Sequence, residues 1–432
     1  MQSLRGMHDI LPEDIKYWQY IYNVALTTFN IANYQEIRTP MLEDTLLFQR
    51  SIGLNTDIIN KEMYSFIDNN NRSISLRPEG TASIARAIIQ HKLCEKQISQ
   101  KLWYFGPMFR YERPQYGRQR QFHQLGLEYY GHDNPSVDAE IIYLATNLLK
   151  KLSCDTYRLE INSIGNLSAR LKYEQKLTEY LNHYYNDLDN DSKIKIKTNP
   201  IKILDSKNQN TQNILQNAPS LYEFLEIKSM KRFELIQENL KNLDINFIIN
   251  HNLVRGLDYY NDTVFEIKTE ELGTQDTICG GGRYDELTQQ IGGKPIASVG
   301  WGIGIERLLL IMKNKIKLSN QDICIYIAPQ NDTSLTYSLK IIPLLHKYQL
   351  KYEIDFNCSS LKKQIQKANR KNAIICIIIG DNEVNHNLIT IKWLKEFRQT
   401  IYHWQEIDKL LQNISKQFSF SKQPNIEITQ GS

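Results

Sequence analysis

The sequence is poor in cysteine, and what it has is scattered. Cys94, Cys154, Cys279, Cys324, Cys358 and Cys376 form no C-x-x-C pair and no zinc-like spacing. That excludes a disulfide scaffold or a zinc ribbon and predicts reduced thiols in a reducing cytosol. The nine histidines show no metal spacing either. No stretch approaches the roughly 20 apolar residues that a bilayer crossing requires. The N-terminus has neither an apolar signal core nor an arginine-rich transit helix, so the expected location is cytoplasmic, with no membrane partner. Charge of one sign is also lacking. A formal net charge of +4 permits a nucleic-acid partner without requiring one. There is no P-loop: Gly292-Gly293-Lys294-Pro295 lacks the upstream glycine and the Ser/Thr. Gly300-x-Gly-x-Gly304 misses the dinucleotide spacing. A nucleotide, if bound, is bound by another device.

What is present is a chain of 432 residues, 41% hydrophobic. That is enough for two to four domains at about 100–200 residues each. Its densest chemistry runs from Trp103 to Glu128. This reads as a strand, a loop rich in arginine, and a returning strand. Arg110 and Arg113 stand at the mouth of the hairpin, Glu112 lies between them, and Arg118 and Arg120 follow in the loop. Arginine suits phosphate, because its planar fork donates two parallel hydrogen bonds and keeps its charge. Gln124 and Glu128 lie four apart on the returning strand. They share a face there, and a carboxylate on that face can hold an ammonium group. The hairpin points to a site that joins a nucleotide to an amino acid. Standing alone, it reads better as a surface hairpin of solvated arginines.

Other segments carry paired readings. In Leu76-Arg77-Pro78-Glu79-Gly80-Thr81, Glu79 and Thr81 either cap a helix or form an amine-binding corner. Arg307 follows three glycines and begins a helix. It is either a phosphate ligand or one half of a surface ion pair with Glu306. Arg255, in Val254-Arg255-Gly256-Leu257-Asp258-Tyr259-Tyr260, must find an anion if it lies in a cleft. A strand there would send Tyr259 and Tyr260 to opposite faces, one to the core and one to a pocket. His123 reads as a packed or hydrogen-bonded histidine.

The pattern along the chain predicts a helix from Pro12 to about Asn33 and a strand over Ile37–Leu42. It predicts a second helix from near Thr81 and a third over Asp138–Leu152. Residues 166–250 read as an inserted helical subdomain. Strands return over Ile248–Lys268, and Thr277–Asp285 reads as a glycine-rich turn. A polar linker is expected at Lys313–Gln321. Beyond it, strands alternate with helices: a helix over Ser334–Leu350, a basic helix in LKKQIQKANRKN, and apolar strands in DICIYIAPQ, AIICIIIGD and LITIKWL. That alternation predicts a compact α/β domain with a partly parallel sheet.

Taken together these stretches resemble the histidyl-tRNA synthetases, among the class II aminoacyl-tRNA synthetases. RGMHDILPED is similar to that family's opening. Pro40 falls where the class II dimerisation motif keeps its proline. FRYERPQYGRQRQFHQLGLE resembles the second class motif and GWGIGIERLLL the third. LVRGLDYYNDTVFEI and GGGRYD resemble the two stretches peculiar to the histidine enzyme. The resemblance implies an α+β catalytic domain over residues 1–320, an antiparallel sheet flanked by helices with a helical insertion at about 166–250. It implies a C-terminal α/β anticodon-binding domain over 321–432.

The roles it implies are specific. Arg110, Glu112 and Arg307 would bind ATP, Arg110 at the α-phosphate and Arg307 at the γ-phosphate. Arg255 would set its cation beside the α-phosphate and the histidine carboxylate, so Arg110, Arg255 and Arg307 carry catalysis. Glu79, Gly80, Thr81, Gln124 and Glu128 would hold the α-amino group and its surroundings. Tyr259, Tyr260 and the Gly281-Gly282 turn would frame the imidazole. Arg113, Gln115 and Arg120 would meet the tRNA acceptor end. Mg2+ would accompany ATP, with no zinc and no protein-bound metal. The partners are L-histidine, ATP, tRNA(His) and a second copy of the chain. The alternative is the synthetase-like, histidine-binding regulatory subunit of ATP phosphoribosyltransferase, which charges nothing and typically lacks the C-terminal domain.

Overall fold

The computed structural model describes residues 1–53, 56–115, 117–206, 208–273, 276–318, 325–396 and 398–417, and the backbone of 426–428. These fall into two units, Met1–Ile316 and Lys317–Ile428.

The first unit is built on an eight-stranded sheet. Its order is Gln35–Glu36, Gln100–Phe109, Gln121–Tyr130, Ser298–Gly304, Thr277–Arg283, Asn261–Lys268, Arg158–Ser163 and Ile248–Ile249. The six inner strands are antiparallel and only the short edge strands pair parallel. The two faces of the sheet differ in kind. One cross-strand row runs Phe265, Gly281, Trp301, Leu127, Trp103. That face is covered by the helices Pro12–Ile31 and Pro135–Lys151. Phe29 packs 5.6 Å from the Trp103 ring and 5.9 Å from that of Trp301. The Trp301 indole donates to the Ile141 carbonyl at 2.9 Å. The neighbouring row, on the opposite face, runs Glu266, Gly280, Gly302, Gly126, Tyr104. Three glycines side by side leave a floor of bare backbone there.

The N-terminal helix starts as its sequence dictates. Pro12 occupies the first turn and Glu13 and Asp14 complement the helix dipole. The hairpin of Gln100–Phe109 and Gln121–Tyr130 forms as expected, as does the helix at Thr81–Gln90. The expected strand over Ile37–Leu42 does not form: strand pairing covers Gln35–Glu36 and then Leu42–Asp44. Pro40 has no N–H to give a ladder, and Arg77 ties the gap instead. Its Nη1 donates to the Thr39 carbonyl at 2.9 Å and its backbone N–H to that of Met41 at 2.9 Å. The glycine-rich turn also differs from expectation, since Thr277–Arg283 is a central strand.

Residues 166–250 contain the helices Leu167–His183, Asn190–Thr198, Gln209–Leu215 and Ile227–Asn242. Tyr173, Leu177, Leu181 and Ile196 share one core with Tyr104, Tyr130, Tyr260 and Tyr284 of the main body. A buried ionic knot joins them too. Asp138, wholly buried, accepts from Arg283 at 2.7 Å and from Arg232 of the last insertion helix at 2.9 Å.

The second unit holds a five-stranded sheet ordered Tyr352–Ile354, Ile325–Pro329, Ile375–Ile379, Leu388–Trp393, Arg398–His403. The first three strands are parallel and the last two antiparallel, which is the partly parallel sheet expected. Ile325, Ile327, Ile375, Ile377, Ile389 and Ile391 fill its core. The helix expected over Ser334–Leu350 is broken into Asp332–Ser338 and Ile342–Lys347, with Pro343 starting the second piece. The expected linker is partly structured: Lys313 and Lys315 end a helix, and Ile316–Leu318 is a strand. Residues 319–321, and 322–324 with Cys324, lie outside the described residues.

Candidate active site

A cavity of about 190 Å3 stands on the glycine floor, lined by Arg110, Gln124, Arg255, Gly280, Gly302 and Arg307 among others. The absence of side chains on the floor is required. A Cβ on Gly280 would lie 2.3 Å from the Arg255 guanidinium, and one on Gly302 would lie 2.3 Å from Gln124 Nε2. The cavity adjoins a wider cleft of about 530 Å3 that also meets Arg118, Glu266 and Asp276.

Each arginine reaches the cavity from a different element. Arg110 leaves the end of the first hairpin strand. Its Nε donates to the Pro78 carbonyl at 2.9 Å, and its guanidinium lies 5.3 Å from the centre of the Phe122 ring. Arg307 sits in the first turn of the helix Ile305–Lys315. It donates to the carbonyls of Thr277 at 2.9 Å and Gly117 at 3.2 Å. Burial lowers its pKa from the ordinary arginine value, and Arg118 and Arg110 add to that by repulsion. Arg255 comes from the loop 250–260 and pairs with Glu266. Burial opposes its charge, while Glu266 favours it, and the net shift is upward. Three cations in one desolvated concavity make an anion site.

Behind Gln124 lies a buried cluster of carboxylates and phenols. Glu128 is wholly buried. Its Oε1 accepts from the Thr81 hydroxyl at 2.7 Å, and its other oxygen accepts from Tyr284 and lies over Gly300. Burial pushes its pKa from 4.5 up to about 8, against the lowering effect of those two hydroxyl donors, and the Glu79 charge raises it further. Glu79 accepts from the backbone N–H groups of Thr81 and Ala82, each at 2.7 Å, so it caps the helix as one of its two readings required. Its pKa is also raised by burial, with the hydrogen bonds from Ala82 and Thr81 opposing. Tyr104 donates to Gln124 Oε1 at 3.0 Å, and its ring fills the space left by Gly80 and Gly126.

Several expected residues stand differently from their sequence reading. Tyr259 and Tyr260 are on a loop, not a strand, and both are buried, with ring centres 4.6 Å apart. They therefore share one side, and Tyr259 also meets Tyr284 at 5.6 Å. Gly281 points to the helix-covered face, toward Trp301 and Phe265. Gly280 is the glycine under the cavity, and Gly282 lies against Tyr260. Arg307 makes no pair with Glu306, because that carboxylate accepts from the backbone N–H of His123 at 2.9 Å and meets its ring at 3.0 Å. His123 packs against Trp18 at 4.6 Å, as a structural histidine should. Arg113 and Gln115 are exposed in the hairpin loop, where Glu112 pairs with Arg118 at 2.9 Å. Arg120 stacks 3.7 Å from the Tyr111 ring centre.

The sequence reading missed Tyr284, Glu266, Tyr104 and Gly280. Glu266 had a signal, being a carboxylate set between the apolar Val264-Phe265 and Ile267. Among the described residues, no group of three or more His, Cys, Asp or Glu is placed to hold a metal.

An antiparallel sheet with arginines at a hairpin end and at a helix start is the architecture the motifs implied for class II aminoacyl-tRNA synthetases. The comparisons agree. The family model described as Histidyl-tRNA synthetase matches residues 6–308, and that of the Anticodon binding domain matches 324–414. The chain is 54% identical over 414 residues to the chloroplastic histidine–tRNA ligase of Gracilaria tenuistipitata var. liui, covering 95% of this chain and 98% of that one. It is 44% identical to the histidine–tRNA ligase of Rippkaea orientalis, covering 98% and 99%. The apo structure of the S. aureus histidyl-tRNA synthetase matches with a TM-score of 0.78 at 33% identity, covering 95% of this chain and 100% of that one. The chain belongs to the histidyl-tRNA synthetase family.

Proposed function

We propose that the chain is a histidine–tRNA ligase that activates histidine with ATP and passes it to the 3′ end of tRNA(His). The observation that carries this is the convergence of Arg110, Arg255 and Arg307 on one cavity beside the buried Glu128–Thr81–Tyr284 cluster. Phosphates belong against the arginines, and an amine and an imidazole belong among the carboxylates and phenols.

In the first step a carboxylate oxygen of histidine bonds to the α-phosphorus, the bond to the β-phosphate oxygen breaks, and pyrophosphate leaves. The carboxylate is already ionised, so positioning and cations supply the catalysis. Arg110 with Glu112 takes the α-phosphate region, Arg307 the γ-phosphate, and Arg255 the α-phosphate and the histidine carboxylate. Glu79, Gly80, Thr81, Gln124 and Glu128 surround the α-amino group. Tyr259 and Tyr260, with Gly282 against Tyr260, shape the imidazole end. In the second step the terminal ribose hydroxyl attacks the adenylate carbonyl and AMP leaves. Arg113, Gln115 and Arg120 would meet that RNA end.

Mg2+ fits as a companion of ATP. It is bound by phosphates plus one or two carboxylates, and Glu266 and Asp276 line the same cleft as the arginines. Bound there it would neutralise charge on the phosphates.

In this reading residues 1–320, with the insertion at about 166–250, form the catalytic domain, and 321–432 bind the anticodon. The working unit is a homodimer. Among the described residues no helix is long and apolar enough to cross a membrane. With chloroplastic and bacterial relatives alike, the protein belongs wherever translation runs, cytoplasm or organelle. The regulatory-subunit alternative typically lacks the C-terminal domain, which is present here.

The test is histidine-dependent ATP–pyrophosphate exchange, with other amino acids as controls, followed by charging of tRNA(His). Exchange with histidine alone is expected. Folded protein that binds histidine without exchange would move the assignment to the regulatory subunit.

A further inference from the structure

The loop 250–260 carries Arg255, Tyr259 and Tyr260 into the site; Leu253 and the two tyrosines are core-packed, while its middle, residues 254–258, borders a cavity. A cavity of about 260 Å3 lies between that stretch and the insertion, bounded by Arg170, Glu174, Lys202, Leu257 and Asp258. Beyond its packed residues, the side-chain hydrogen bonds to the loop's carbonyls come from two residues. Asn162, at the end of the strand Arg158–Ser163, donates to the carbonyls of Leu253 at 3.0 Å and His251 at 3.2 Å. Arg170, on the first turn of the insertion, donates through Nη1 to the Tyr260 carbonyl at 2.7 Å. The same guanidinium reaches the Asp258 carbonyl at 3.3 Å through Nη1 and at 3.4 Å through Nη2. Arg255 lies between the two clamps.

Resting on the ligase reading, we infer that Arg170 is a positioning residue for histidine activation: its fork holds the Asp258 and Tyr260 carbonyls and so sets Arg255 and the tyrosine pair against the substrate. It touches no substrate itself. The insertion thereby contributes to the chemistry through one side chain.

The fork matters because two carbonyls must be bridged at once. A lysine offers one compact charge and cannot span both. Misplacing a catalytic cation by about 1 Å can cost about 100-fold.

The experiment compares wild type, Arg170→Met, Arg170→Lys, Arg255→Ala and the double variant Arg170→Met/Arg255→Ala in the exchange assay. Alongside, hydrogen exchange is followed by mass spectrometry over residues 250–260. Arg170→Met should lower kcat about 10- to 100-fold, with KM for ATP little changed. Arg170→Lys should fall between it and wild type. Because Arg170 acts through the loop, Arg170→Met should cost much less on the Arg255→Ala background than alone. Faster amide exchange should be confined to the 250–260 loop. Full activity in either single Arg170 variant overturns the inference. So does a loss that multiplies undiminished in the double variant, or exchange that rises evenly across the chain. If Arg170→Met does not fold, Arg170→Lys decides by the same readouts. An inactive wild type would defeat the ligase reading alone, and the loop exchange would still test the clamp.

Discussion

The Thr81 hydroxyl donates to Glu128 at 2.7 Å and joins the start of a helix to the centre of the sheet, 47 residues apart in the chain. With Tyr284 it supplies both donors to a carboxylate that burial has made a weak acid. The native pKa of about 8 stands above the ordinary 4.5, so the folded protein holds this proton more tightly than the unfolded chain. The corresponding stability is complete below about pH 4.5, declines as pH rises, and is gone above about 8. Between about pH 5 and 8, the Tm of ligand-free wild type should fall more steeply than that of Glu128→Gln. A substrate ammonium favours the ionised acid, so histidine binding near pH 7 should release a proton. Calorimetry in buffers of different ionisation enthalpy reads that release. Equal release by Glu128→Gln would refute the assignment.

Gly280 underlies Arg255, and a methyl group there would collide with its guanidinium at 2.3 Å. Arg255→Ala should lower histidine adenylation about 100- to 1,000-fold, the usual cost of removing a group that stabilises transition-state charge. Gly280→Ala should approach that loss while leaving the chain folded, since the conflict is with a side chain at a cavity. Near-normal exchange in Gly280→Ala would show that Arg255 can act from a second position.

Asp138 has no exposure and lies between Arg283 and Arg232. Asp138→Asn leaves two buried cations short of a charge, and breaking such a pair costs about 3 kcal/mol or more. Urea denaturation should show that loss. A loss under about 1 kcal/mol would mean that Asp133 and Asp285, which also face Arg283, suffice.

The fold was legible where the sequence carried local signals. Pro12 with two acids behind it marked a helix start, and the arginine-filled hairpin declared both strands. What stayed hidden depended on parity and on partners distant in sequence. Whether Gly280 or Gly281 faces the cavity is a question of strand phase, and three glycines in succession offer no apolar alternation to fix it. Tyr259 and Tyr260 share one side because the segment is a loop, and no periodicity rule applies to a loop. Glu266 was passed over because its partner, Arg255, arrives from a segment that folds back across the sheet. Arg110 and Arg307 were visible because each stands just past the end of a strand, Arg110 entering the hairpin loop and Arg307 in the first turn of a helix.

The insertion also bears on how the chain assembles. The strand Arg158–Ser163 pairs antiparallel with Asn261–Lys268, from Ser163 against Thr263 outward to Arg158 against Lys268, with the whole insertion between them. Closing that pairing in a random coil means paying loop entropy before any contact rewards it. Helices form from neighbours in sequence and draw the two ends together first. The ladder thus inherits a short gap in place of a long one. Pulse-labelled hydrogen exchange during refolding should find the amides of Leu167–His183 and Ile227–Asn242 protected before those of Asn261–Lys268. The reverse order would mean that the sheet closes unaided.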